Sequence, residues 1–80
     1  MKAHLISTRE SYLPQMDIMG ASYESALNRR KYVLLYSHDR GAARLRVGSV
    51  EEGRFFVKKI AEAMQEGSVD KIVTIEYTGK

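Results

Sequence analysis

Eighty residues, 44% of them hydrophobic and 29% charged, with a net charge of +3, describe one ordinary globular domain rather than a disordered or fibrous chain. A chain this short buries only about 60% of the surface its unfolded form exposes, enough for one sheet under one helix and little for an enclosed active site. Without cysteine, disulfides and thiolate zinc centres are excluded. The longest apolar run, residues 32–36, is far below the ~20 residues of a membrane span, so a soluble, cytoplasmic domain with no membrane partner is expected.

The opening "MKAHLISTRE" is broken by His4 and Arg9 before any secretory h-region develops, and its "KAHLIST" stretch reads as a weak first strand. Residues 9–30 resist assignment. Pro14 and Gly20 interrupt any long element, and residues 22–30 fit either a short helix capped by Ser22 or an outward extension of the next strand. Long connections without evident structure are often binding loops. Met16, Ile18 and Met19 are therefore candidate loop contacts, since flexible thioethers suit adaptable protein surfaces, although packing under a sheet edge is slightly the better explanation.

"KYVLLYS" and "AARLRVG" are two strands joined by His38-Asp39-Arg40-Gly41, a short polar loop ending in glycine, and should pair as an antiparallel hairpin. Alternation puts Ala43, Leu45 and Val47 on one face and Arg44 and Arg46 on the other. Because the first of these strands must also give one face to the core, Tyr32 and Tyr36 are expected to be buried against a helix. Should they point outward instead, the open face would be both basic and aromatic.

Ser49 and Glu52 have the S-x-x-E form of a capping box, which starts a helix at about residue 50. Gly53, Phe56, Val57, Ile60, Ala61 and Met64 recur at helical period as one apolar stripe, and Gly67 suits a left-handed cap after residue 66. Glu51, Glu52, Glu62 and Glu66 lie off that stripe and read as solvated helix surface, with Lys58 and Glu62 at i, i+4 spacing. The last segment, "DKIVTIEYT", alternates Val73, Ile75 and Tyr77 with Thr74, Glu76 and Thr78, as a half-exposed strand does. The expected fold is therefore α+β: one antiparallel or mixed sheet of about four strands with a single amphipathic helix on one face, in the order β-β-β-α-β.

Charge is unevenly spread. Residues 28–46 hold Arg29, Arg30, Lys31, Arg40, Arg44 and Arg46 against the single acid Asp39, a local +5 in a chain of +3. Such a patch steers anionic partners even at modest net charge, and these six cations are the candidate partner or nucleic-acid contacts. The plainer reading is a wet sheet face, with Arg44 and Arg46 paired across strands to Glu76 and the cations at 29–31 guarding a strand edge.

Catalytic chemistry finds no foothold. His38 and Asp39 are adjacent in a tight turn and rarely face each other, His4 has no ligand-spaced neighbours, and no phosphate-loop, dinucleotide, zinc-protease or nucleophile-elbow pattern occurs. Neither cofactor nor metal is expected, and the chain is not expected to be an enzyme.

Two functional readings remain. In size, lack of catalytic motifs and pI near 9.3, the chain is similar to small inhibitors encoded by phages and mobile elements, anti-CRISPR proteins among them. That similarity implies a non-catalytic module docking on a larger protein or protein–nucleic acid complex. Alternatively, three strands and a helix with outward arginines over about residues 31–66 resemble the sheet-reading domains of plant AP2 factors and integrase arm-binding domains. That layout implies direct DNA or RNA binding, without the tryptophans of the plant family. A homodimer closing an exposed sheet edge is compatible with either.

Overall fold

The computed structural model describes residues 2–8, 13–38, 41–67 and 72–78. Strands β1 (Lys2–Ile6), β2 (Leu13–Ser25), β3 (Lys31–Ser37) and β4 (Gly41–Val47) precede helix α1 (Val50–Gln65), and β5 (Ile72–Glu76) follows it. They form one five-stranded sheet in the order β4-β3-β2-β1-β5, antiparallel except for β5 beside β1. The fold is the expected α+β sheet with a single helix, enlarged by one strand. No helix among the described residues is long and apolar enough to cross a membrane.

The additional strand is β2, within the stretch 9–30 that the sequence leaves unassigned. Ile18 pairs with Ser37 and Gly20 with Tyr36, so two residues of β2 oppose one of β3. This bulge reverses the alternation: Met16 and Ile18 are buried before it, whereas Ala21 and Tyr23 are the core-packed residues after it. A second register shift lies between Leu13 and Met16, around Pro14, which has no N–H to give a ladder. Two interruptions of a period-2 pattern within one strand hide it from any periodic template. Met16 and Ile18, 3% and 0% exposed, are thus core residues rather than loop contacts, and only Met19, at the bulge, remains on the surface.

Helix α1 spans the sheet from the β4 edge to the β5 edge and covers one face. Its start is as expected: the Ser49 side chain accepts a hydrogen bond from the Glu52 N–H, and Gly67 closes the far end at φ +68°. The buried stripe is rotated from the expected one, running through Gly53, Phe56, Ile60 and Ala63, while Ala61 and Met64 face outward. Two contacts set that rotation. A Cβ at residue 53 would lie 2.5 Å from the Tyr23 ring, so only glycine lets the helix approach β2 this closely, and Phe55 packs edge-on against Tyr77 at 5.1 Å.

Leu5, Ile18, Val33, Leu35 and Leu45 from the sheet meet Phe56 and Ile60 from the helix to form the centre of the core. Val33 and Leu35 are the β3 residues that point inward, so the burial expected of Tyr32 and Tyr36 is overturned: Tyr32 is half-buried and Tyr36 is 44% exposed, on the face without a helix.

Candidate anion-binding face

The basic end of the sheet is built by the connection between β2 and β3. Arg29 N–H donates to the Ala26 carbonyl at 3.1 Å, Ala26 N–H donates to the Arg30 carbonyl at 2.8 Å, and Asn28 Oδ1 accepts from Arg30 N–H at 3.1 Å. Arg29 itself stands at φ +67°, the left-handed position where a hairpin of this kind ordinarily places glycine. Without that glycine, the turn was invisible in the sequence.

The turn projects its cations toward the end of β4. Residues 28–31 and 46–48 line a cleft of about 280 Å³, which brings together Arg29, Arg30, Lys31 and Arg46. Lys31 Nζ rests on the Arg29 carbonyl at 3.4 Å. Among the described residues, no carboxylate forms an ion pair with any of these four.

Arg44 is placed differently. It lies one row along the sheet, with Nε 3.6 Å from Glu24 Oε2 and its guanidinium 5.7 Å from the Tyr32 ring centroid. The ion pair is longer than a hydrogen bond, and Glu24 Oε2 has no hydrogen-bond partner among the described residues, so charge alone holds it. Pairing of Arg44 or Arg46 with Glu76 does not occur, because β4 and β5 are opposite edges of the sheet. Arg40 and Asp39 lie outside the described residues.

Register assembles the rest of the face. Glu24, Tyr32 and Arg46 form one cross-strand row, Ser22, Leu34 and Arg44 the next, and Gly20, Tyr36 and Ala42 a third. Tyr36 leans over Gly20, where an added Cβ would meet its ring at 3.7 Å. Tyr32, Leu34 and Tyr36 thus join the arginines as surface groups, signalled in the sequence only by the apolar pair Val33 and Leu35 that alternates with them.

A second charged group sits just behind this end and differs in kind. Glu52, expected on the solvated helix surface, is 1% exposed. Its Oε1 accepts from Gly48 N–H at 3.0 Å and Thr8 Oγ1 at 2.6 Å, and its Oε2 from Ser7 Oγ at 2.5 Å and Thr8 N–H at 2.9 Å. Burial pushes its pKa up, but the hydrogen bonds from Ser7, Thr8 and Gly48 outweigh burial and hold it below the ordinary glutamate value. Ser7 Oγ also lies 2.8 Å from the Arg46 carbonyl. By register β1 ends beside Leu13 of β2 whereas Arg46 shares the row of Glu24, three strand spacings away and about 35 Å further along in a flat sheet, so the sheet bends sharply to bring Ser7 and Arg46 together. Glu52 ties the end of β1 to the start of α1 and the end of β4.

At the other end of the molecule, a groove of about 340 Å³ between α1 and β5 is lined by Phe55, Val73 and Ile75 with Glu62, Glu66 and Glu76 at its rim. Glu62 there is engaged by Lys58 at 4.0 Å and Lys59 at 3.8 Å. Among the described residues no group of three or more His, Asp or Glu side chains is arranged to hold a metal ion. No family model, curated protein or solved structure matches the chain.

Proposed function

We propose that the protein is a non-catalytic binding module that docks on an anionic surface of a larger protein or protein–nucleic acid complex, in the manner of a small inhibitor encoded by a phage or mobile element. The reading rests chiefly on one observation: Arg29, Arg30, Lys31 and Arg46 meet around one cleft, and no described carboxylate forms an ion pair with them. Cations gathered this way raise the local potential and draw in an anionic partner, whereas scattered surface charges are largely neutralised by their neighbours. The strain at Arg29 points the same way, since glycine would fit that backbone at lower cost but would supply no charge.

Direct nucleic-acid binding is the second reading, favoured by Tyr32 and Tyr36 on the uncovered sheet face that Arg46 shares. The common core of both is tested with labelled heparin, polyglutamate and oligonucleotides, titrated into the full chain from low salt upward. Binding to at least one polyanion is expected, weakening with salt and lost in Arg29→Glu/Arg30→Glu while the melting temperature stays unchanged. Absence of binding to every polyanion at low salt would remove the proposal.

A further inference from the structure

We infer that the anion this face receives is single-stranded nucleic acid, with a phosphate in the cleft between residues 28–31 and 46–48 and unstacked bases on Tyr32 and Tyr36. The inference rests on the second of these readings, direct nucleic-acid binding, and gives it a ligand class.

Arg46 lies directly opposite Tyr32 across the β3–β4 ladder, so the phosphate-binding end and the first ring are neighbours, about 5 Å apart at the backbone. Arg44 lies over the Tyr32 ring, its guanidinium carbon 5.7 Å from the centroid and 61% of its side chain open, so a base arriving here meets the guanidinium first and can stack on that cation as well as on the ring. Tyr36 follows four residues along β3, about 13 Å away at strand rise. Bases in a stacked strand are 3.4 Å apart, so neighbours cannot reach both rings unless drawn out of the stack. A duplex keeps its base faces covered and would use the cations alone. That would leave two partly exposed tyrosines and Leu34 between them without a role.

Glu24 opposes this binding. It shares the row of Tyr32 and Arg46 and engages Arg44. Neutralising it frees Arg44 and removes an anion beside the phosphate path.

The test is fluorescence anisotropy of the full chain with labelled oligothymidylate and oligouridylate, a duplex of equal length, and labelled polyglutamate. Intrinsic fluorescence is followed in parallel, because the chain has five tyrosines and no tryptophan. Single strands are expected to bind at least about tenfold more tightly than duplex and to quench tyrosine emission. Tyr32→Leu/Tyr36→Leu should lose about tenfold or more in affinity and most of the quenching, and Glu24→Gln should bind severalfold more tightly. Tyr36→Leu alone, at the more exposed ring, serves if the double variant does not fold. Equal affinity for duplex, or unchanged affinity in the tyrosine variants, overturns the inference. Binding of polyglutamate without any oligonucleotide also overturns it but leaves the docking proposal standing, and failure of all four ligands at low salt removes both.

Discussion

Glu52 and Arg29 lie on neighbouring parts of the molecule, and both are charges placed where the backbone would be easier to build without them. Glu52 is buried with four hydrogen-bond donors on its two oxygens, every one from this chain. Arg29 is exposed, sits in a left-handed conformation, and has no carboxylate partner among the described residues. The two regions adjoin at residues 46–48, whose backbone serves the Glu52 cluster and whose outer surface lines the basic cleft. A charge satisfied from within belongs to folding. On the proposed reading, a charge left to face outward at a conformational cost serves binding, and each region should respond to mutation accordingly.

The largest stability effect is expected at Glu52. Glu52→Ala leaves the Thr8 and Gly48 N–H groups and the Thr8 hydroxyl short of an acceptor in a partly buried site, while Ser7 keeps the Arg46 carbonyl, a loss of about 3 kcal/mol in urea unfolding. Glu52→Gln keeps the shape but presents a donor where only acceptors are wanted, and should cost about half as much. Because the folded pKa of Glu52 lies below its ordinary value, its contribution is complete above the usual glutamate range and is lost as pH falls through the lowered value. Wild-type stability should therefore decline on acidification, and the decline should be shallower in Glu52→Gln.

The charge reversal Arg29→Glu/Arg30→Glu is the mirror case. Anion binding should fall more than about tenfold while unfolding free energy changes by no more than about 0.5 kcal/mol, as for exposed residues without partners. A stability loss as large as that of Glu52→Ala would erase the contrast between the regions.

Gly53→Ala sharpens it from the folding side. Alanine is about 1 kcal/mol better than glycine within a helix, yet a methyl group here meets the Tyr23 ring at 2.5 Å. A net loss of about 1–2 kcal/mol by thermal unfolding is expected, with anion affinity unchanged in the folded fraction.

The uneven legibility of the chain has the same physical origin. Helix α1, β4 and β5 announce themselves through unbroken periods and a helix start signal, and β3 through a short apolar run joined to β4 by a loop ending in glycine. β2 does not, because a bulge at Met19 and Gly20 reverses its alternation, and its exit turn carries Arg29 where glycine would have marked it. The cations at 29, 30, 31 and 46 were visible as a charge concentration, but their convergence depends on that hidden turn. Glu52 was misplaced because the capping pattern accounts for one arm only. Its carboxylate reaches Ser7 and Thr8, more than forty residues away, through a coiling of the sheet that no local pattern encodes. Tyr32 and Tyr36 were assigned to the core because the run 32–36 is apolar on both faces, and only the burial of Val33 and Leu35 decides which side faces the helix.

Arg29→Gly separates the two roles in a single residue, and paired measurement of its unfolding free energy and its affinity for a polyanion is the most direct experiment. Glycine relieves the left-handed strain and removes one cation, at some cost in unfolded-chain entropy. The variant should be more stable than wild type by about 0.5–1 kcal/mol and bind more weakly. A variant that is less stable, or that binds as tightly as wild type, would contradict the assignment of this charge to binding.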